Sequence, residues 1–285
     1  MKKRIIVVAL LAIVSLTALF AAVNDSLINK EDAPIEFFGE YESGFFVIAG
    51  HTIKIGTSGT NFNYVSQGGQ EILLPFQRFN VGATLFDRHR ISFLYQPFEV
   101  NTTVKFRDSV IVDGVTFNAG TIMDLKYGFP FYRFTYSYDL LKEENKILAV
   151  GVALQIRNAS IVFKASDSSN ITVSQNVGPV PALNIYSRWD FSSGVNLSLD
   201  VTGSYASSAL LNGASFEFEG SLLDASLRMG YQLKNQMEIF SNVRFLGGTS
   251  KGTSESENNA WSQSIEPFTS NNLGTVSATV GITIR

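Results

Sequence analysis

The chain has 285 residues, a formal net charge of -3 and no Cys. The lack of Cys excludes a disulfide framework, thiolate metal sites and a cysteine nucleophile, and the acidic balance argues against nucleic acid as a partner. Only 16% of the residues are charged, whereas soluble domains average about 25%. This under-charged composition fits a chain that is partly lipid-facing without being helical.

The N-terminus has the layout of a secretory signal peptide. Basic residues at positions 2–4 precede an apolar stretch over 5–20, which contains only two polar side chains, Ser15 and Thr17. This order of a positive region followed by an apolar region predicts an exported chain with a signal peptide over residues 1–22. An uncleaved anchor is the alternative, because about 18 apolar residues can span a bilayer.

The rest of the chain alternates between apolar and polar residues. The alternation is clearest in segments 132–140, 148–156, 195–201, 223–233 and 276–284. Most of these segments approach or exceed about 9–11 residues, the length that a tilted strand needs to cross a bilayer. In a soluble sandwich the apolar face packs on a second sheet, whereas in an outer-membrane barrel it faces lipid and the polar face lines the lumen. Strand length and the signal peptide favour the barrel.

Short and long connections alternate along the chain, which is typical of short periplasmic turns and long outer loops. We predict short turns at 87–90, 142–145, 192–194 and 234–236, and long loops at 51–74, 108–119, 166–180, 207–213 and 247–272. This rhythm predicts an all-β fold, an antiparallel transmembrane β-barrel of about ten strands.

Segment 120–141 can be read as one strand or as two, so it leaves the strand count open. Its apolar parity changes at Gly128-Phe129-Pro130. We expect a β-bulge there, because a bulge changes parity and keeps ten strands. A hairpin at the same point would give twelve strands, and eight is the other alternative.

Six short motifs occur in a fixed order along the chain. They are Gly59-Thr60-Asn61-Phe62, Arg88-His89-Arg90, Tyr132-Arg133-Phe134-Thr135-Tyr136, Gln155-Ile156-Arg157-Asn158-Ala159, Val177-Gly178-Pro179-Val180-Pro181 and Phe245-Leu246-Gly247-Gly248. Together they resemble a family of uncharacterised bacterial outer-membrane β-barrels, over most of the chain after residue 35. The resemblance implies the fold and a location in the cell outer membrane of a Gram-negative-type envelope. It brings no established activity and no catalytic residue.

From these patterns we predict a periplasmic N-terminal segment over 23–34 and a barrel over 35–285. Polar and charged side chains fall on its predicted lumen faces. They are Arg133, Asp139, Gln155, Arg157, Arg188, Asp190, Asp200, Asp224, Arg228, Glu238 and Arg244. Such charges either pair into a plug or line a passage that selects a small solute. The predicted function is therefore a structural module or a narrow, porin-like pore.

A membrane-embedded enzyme acting on lipid or surface peptide is an alternative. Its candidate base is His51, near the outer end of the first strand, because His89 lies in a predicted turn. Serine is abundant, but abundance alone does not indicate a Ser-His-acid triad. The acidic residues Asp167, Glu255 and Glu257 lack the ligand pattern of a calcium loop. We therefore assign no catalytic residue, metal or cofactor.

A surface-binding barrel is the third possibility. Outer loops adapt to partners, and Trp261 and Phe268 of the last predicted loop are aromatic binding candidates. The expected partners are outer-membrane lipids, with periplasmic chaperones and the barrel-assembly machinery during insertion. A small solute is a further candidate partner, and nucleic acid is not expected.

Overall fold

The computed structural model describes residues 35–207, 218–233, 236–253 and 268–285. The predicted signal peptide, the predicted segment 23–34 and Trp261 lie outside these residues. The described residues form the strands β1 (Ile35–Ile55), β2 (Phe62–Asn63), β3 (Leu74–Leu85), β4 (His89–Gln96), β5 (Glu99–Lys105), β6 (Val110–Val112), β7 (Val115–Phe117), β8 (Ile122–Gly128), β9 (Phe131–Asp139), β10 (Lys146–Ala165), β11 (Ile171–Asp190), β12 (Val195–Ser207), β13 (Phe218–Gln232), β14 (Met237–Thr253) and β15 (Phe268–Ile284). Across the same ranges, no helix is long and apolar enough to cross a membrane.

Ten of these strands close into an antiparallel barrel. The ring runs β1, β3, β4, β9, β10, β11, β12, β13, β14 and β15, and β15 pairs back to β1. Closure gives every ring strand a paired neighbour on both sides over at least part of its length, as a hydrocarbon environment demands. The predicted all-β fold and the predicted strand number are confirmed.

The outer surface of the ring carries an apolar band. On β10, Val152 and Leu154 face outward and are 57% and 45% exposed, while Ala153 and Gln155 face the lumen and are buried. Exposed apolar side chains on the outside and polar ones inside are the arrangement of a barrel in lipid. The protein is therefore an outer-membrane β-barrel. Its short turns, such as 86–88 and 191–194, mark the periplasmic end.

The polarity reverses in the outer part of the barrel. On β10, the outward residues change from Ile156 to Asn158 and Ser160, while the inward residues become Ile161 and Phe163. The strands thus extend beyond the membrane into water, where the outside must be polar and the inside is a packed apolar core. We call this the outer core; it contains buried side chains of β1, β2, β8 and β10.

The reversal explains the parity change in segment 120–141, and the predicted bulge is wrong. β8 and β9 pair with successive parts of β10, with Gly128 opposite Ser160 and Phe131 opposite Arg157. The register is the same on both sides of residues 129–130, so no residue is inserted. The apolar side chains of β8 face inward because the interior at that height is the outer core. The register does shift in β1, between Ile48 and Gly50.

Several predicted outer loops are partly strand. The predicted loop 166–180 is a turn over 166–170, and residues 171–180 belong to β11, paired with β10. Phe268, assigned to a loop, begins β15. These stretches are rich in polar residues and so resemble loops in sequence; on β11 the polar Thr172 is buried on the inner side, whereas Ile171 is exposed on the outer side. The connection between β4 and β9 forms β5 to β8, and β5 and β8 are bonded outside the ring.

Candidate functional site

Three arginines converge on Asp224 in the middle of the lumen. Arg78 and Arg133 place Nη1 3.1 and 2.8 Å from Asp224 Oδ2, and Arg244 places Nη1 2.7 Å from Oδ1. All four side chains are at most 3% exposed. Their positions follow from strand alternation, which sends every second side chain of β3, β9, β13 and β14 inward.

Glu42 and two glutamines extend this group across the barrel. Glu42 lies 3.4 Å from Arg244 Nη2 and accepts hydrogen bonds from Asn242 Nδ2, at 2.7 Å, and from the Thr279 hydroxyl. Gln96 accepts from Arg78, and Gln155 accepts from Arg133 through both Nε and Nη2. We call this set the charge layer. It consists of Glu42, Arg78, Gln96, Arg133, Gln155, Asp224 and Arg244.

The charge layer crosses the lumen with side chains from seven of the ten ring strands. Burying a charge is expensive unless it is paired and hydrogen-bonded. The layer meets that demand because each guanidinium has a carboxylate or amide oxygen in reach.

Two further ion-pair groups lie on the periplasmic side of the layer. Arg228 donates to both oxygens of Glu40, at 2.6 and 2.7 Å, and its guanidinium carbon lies 3.7 Å from the centre of the Phe240 ring. Arg188 bridges Glu238 and Asp190, at 2.8 and 2.7 Å. The lower lumen therefore also contains paired charges, together with a polar cavity of about 50 Å³ whose lining includes Asn184, Ser198 and Thr202.

All the predicted lumen residues point inward, with different surroundings. The charge layer contains Arg133, Gln155, Asp224 and Arg244, and the periplasmic ion pairs contain Arg188, Asp190, Arg228 and Glu238. Asp200 accepts a hydrogen bond from Asn184, and Asp139 accepts from the backbone N–H groups of Leu141 and Leu148. Arg157 lies above the layer, at the wall of the cavity described next. Sequence analysis missed Glu40, Glu42, Arg78 and Gln96. The signal was present, because Glu40 and Glu42 alternate with Tyr41 and Ser43.

An apolar cavity of about 320 Å³ lies on the outer side of the charge layer. Its volume is within the usual range of small-molecule sites, about 300–1,000 Å³. Gln155 belongs to both the layer and the cavity wall, so the layer forms the cavity floor. The other lining residues include Tyr127, Phe129, Pro179, Val180, Pro181, Leu222, Leu246 and Leu273.

Polar groups are few in this cavity. Arg157 is the one charged residue among the described residues that line it, and Asn271 and several serines supply hydrogen-bonding groups. Asn271 donates to the Tyr127 hydroxyl at 2.8 Å. An apolar wall with one cation suits a largely apolar ligand that carries a hydrogen-bond acceptor or a negative charge.

His51 lies near the outer end of β1, as predicted, but its side chain is buried and not exposed at the outer surface. The ring is 1% exposed in the outer core, stacked on Tyr64 at 4.4 Å and edge-on to Tyr127 at 4.2 Å. Its Nδ1 donates to Gln70 Oε1 at 2.7 Å, because an amide oxygen only accepts. His51 lies beyond the membrane-spanning part of β1, whose outward residues turn polar after Ala49. Burial lowers the pKa of His51 to about 4.

The other candidates that the structure describes form no reactive group, and Glu255 and Glu257 lie outside the described residues. His89 Nδ1 lies 2.9 Å from the Tyr136 hydroxyl at the periplasmic end. Hydrogen bonds from the side chain and the backbone N–H of Ser169, within the same turn, lower the pKa of Asp167. Phe268 is half-buried at the start of β15, with Lys54 Nζ 5.9 Å from its ring centre. Across the described ranges, no three His, Asp or Glu residues group into a metal site.

The comparisons with known proteins give similarity of structure alone. No protein-family model matches the chain, and no curated protein matches it. The chain is similar to the outer-membrane protease OmpT from Escherichia coli, with 9% identity, 89% and 99% of the two chains covered and a TM-score of 0.47. It is also similar to the translocator domain of the autotransporter NalP from Neisseria meningitidis, with 11% identity, 96% of both chains covered and a TM-score of 0.40. A FadL homologue from Pseudomonas aeruginosa matches with 9% identity, 88% and 90% coverage and a TM-score of 0.37.

Proposed function

We propose that this outer-membrane barrel is a closed binding protein, which holds a small, largely apolar ligand in the cavity above its charge layer. The observation that carries the proposal is the position of the apolar cavity directly above the charge layer. A cavity of about 320 Å³ with mainly apolar walls rests on a floor of interlocked buried charges. Predominantly apolar clefts with a few placed polar groups are the usual form of a small-molecule site.

The same arrangement favours binding over passage. A solute moving from the cavity to the periplasm would have to separate Asp224 from its three arginines, and unpaired buried charges cost several kcal/mol each. The barrel therefore acts as a receptor for its ligand and not as the narrow pore. In this proposal the lipids of the outer membrane surround the apolar band. Export by the segment 1–22, and delivery by chaperones and the assembly machinery, belong to the same proposal.

The proposal is tested by binding of a neutral apolar fluorophore, N-phenyl-1-naphthylamine, to the purified protein in detergent. We expect a saturable fluorescence increase above that of protein-free micelles. Val180→Trp fills the cavity, because Val180 lines it. We expect this variant to weaken binding at least tenfold.

The matched control is Val150→Trp, which makes the same change on the lipid-facing side of β10, where Val150 is 42% exposed. Unchanged binding in this control, and a heat-modifiable gel band from both variants, would tie the loss to the cavity. Equal binding by the wild type and Val180→Trp would overturn the proposal.

A further inference from the structure

We propose that the cavity opens sideways into the membrane through a gap in the barrel wall between β11 and β12. The ligand would then enter from, or leave to, the hydrocarbon of the outer leaflet. This inference rests on the proposed function, since it assigns a route and a ligand class to the same cavity.

Pairing between the two strands stops partway up the wall. β11 and β12 are in register from Asp190 opposite Asn196 to Leu183 opposite Gly203. Beyond that point β11 stays paired with β10 as far as Ile171, and β12 stays paired with β13 as far as Ser207. Over these described stretches the two strands continue without backbone pairing, and a hydrogen bond from the Ser204 hydroxyl to Pro181 O bridges them at the lower end of the unpaired stretch.

Two prolines stand on the unpaired side of β11. The Asp190 N–H points to β10, where it donates to Asn145 O, and the Phe191 N–H points the other way, to Val195 O. Backbone groups alternate sides along a strand, so the odd positions 179 and 181 face β12. Both are Pro, which has no N–H to donate.

This chemistry makes an open edge tolerable in lipid. Unsatisfied backbone donors cost several kcal/mol in hydrocarbon, which is why open edges are confined to places that line a cavity. The prolines remove two such donors, and the Ser204 hydroxyl donates to Pro181 O at 2.6 Å. The backbone chemistry of this stretch of β11 therefore disfavours pairing with β12.

The gap coincides with the cavity and with the apolar band. Pro179 and Pro181 line the cavity from one side of the gap, and Ser204 and Ala206 line it from the other. On β10, Ile156 and Leu154 lie opposite the two prolines and are 44% and 45% exposed on the lipid side. The gap therefore lies in the outer half of the apolar band.

The rim of the gap is apolar as well. Val177 and Leu183 on β11 are 67% and 69% exposed, and Tyr205 on β12 is 60% exposed. A ligand using this route must dissolve in the membrane. Together with Arg157 at the cavity wall, the route points to a single-chain amphiphile, an alkyl chain that ends in an anionic or accepting group.

The test is photochemical labelling of the intact protein in nanodiscs whose phosphatidylcholine carries a diazirine in the acyl chain. After irradiation, adducts are located by peptide mass spectrometry. We expect adducts on the lumen-side residues Val180, Ser204 and Ala206 in addition to the outward-facing Leu199. Adducts on outward-facing residues alone would overturn the proposal.

The matched variant is Pro179→Val with Pro181→Val, which restores two donors and lets the strands pair. We expect lumen-side adducts to fall at least tenfold, with adducts on Leu199 unchanged. Pro75→Val, in the paired strand β3, is the control and should label as the wild type does. Persistent lumen-side labelling in the double variant would also contradict the route through this gap.

The two proposals fail in different ways. Binding of N-phenyl-1-naphthylamine in detergent tests the cavity itself, by whatever route the probe enters it. Saturable binding with no lumen-side adducts would remove the lateral route and leave the binding function. Loss of saturable binding would remove the binding function itself.

Discussion

Arg133 and Asp224 lie four strands apart in the ring of ten, on β9 and β13, and their side chains meet in the lumen at 2.8 Å. The contact is one of three guanidinium contacts to a single carboxylate. The charge layer to which this contact belongs lies between a periplasmic part of the interior, which holds ion pairs and a polar cavity, and an outer part that holds the apolar cavity.

Asp224→Asn is expected to destabilise the barrel by about 3–5 kcal/mol, because it leaves three buried guanidinium groups with one remaining carboxylate, Glu42. Urea unfolding of the refolded protein measures the loss. Asp200→Asn is the control, since Asp200 is only partly buried and accepts from the amide of Asn184. Its expected cost is about 1 kcal/mol. Equal costs for the two variants would contradict the central role of Asp224.

Gly44→Ala is expected to destabilise the barrel by about 1–3 kcal/mol through overpacking. A Cβ on Gly44 would lie 2.7 Å from Thr279 Cα, so the backbones of β1 and β15 would have to separate. Gly39→Ala, on the same strand, meets nothing within 4 Å and should be neutral or slightly stabilising. The two unfolding midpoints provide the comparison, and coincident midpoints would contradict a close approach at Gly44.

Stability should fall as the pH decreases from about 6.5 to about 4. Burial lowers the pKa of His51 to about 4, whereas an unfolded histidine titrates near 6.5. In this window the unfolded chain binds the proton more tightly, so the free energy of unfolding drops by up to about 1.4 kcal/mol per pH unit. Above about pH 6.5, His51 is neutral in both the folded and the unfolded chain, so its titration no longer changes the free energy of unfolding.

His51→Phe keeps a ring in the outer core and removes the titration. We expect lower stability at neutral pH, because Gln70 loses its hydrogen-bond donor, and a flatter pH dependence between 4 and 6.5. Unfolding curves at four pH values provide the measurement. A slope equal to that of the wild type would assign the pH dependence to other groups.

The Arg157→Gln substitution should weaken the binding of a charged ligand more than that of an uncharged ligand with the same alkyl chain. We expect decanoate to bind about tenfold more weakly, a change of about 1.4 kcal/mol, because a charge-assisted hydrogen bond is replaced by a neutral one. Decanol, which carries no charge, should bind as it does to the wild type. Competition against N-phenyl-1-naphthylamine gives both affinities. Equal losses for the two ligands would mean that Arg157 shapes the cavity without reading the charge.

The period-two pattern predicted the fold because lipid imposes it on every spanning strand. In segment 148–156, for example, the outward residues are apolar throughout and the strand β10 has the predicted facing. The pattern failed at segments 120–141 and 166–180. In 120–141 the strands rise above the membrane, and the apolar face changes sides without any change in register. In 166–180 the strand β11 continues with polar residues such as Thr172 on its inward face, so its composition resembles that of a loop.

The charge layer could be predicted in part. Alternation places Arg133, Asp224 and Arg244 in the lumen, but it does not show which strands face one another across it. Partners such as Arg78 and Asp224 are 146 positions apart in sequence. The cavity was not predictable for a related reason, since its walls come from several strands and its floor from the layer.

Single-channel recording from the full-length protein in planar bilayers tests the central claim most directly. A heat-modifiable gel band from the same preparation establishes that the inserted protein is folded. We predict a silent membrane, with no discrete current steps at low or high salt, because the charge layer closes the lumen. Reproducible steps from the folded wild type would show an open water path past Asp224 and contradict the account.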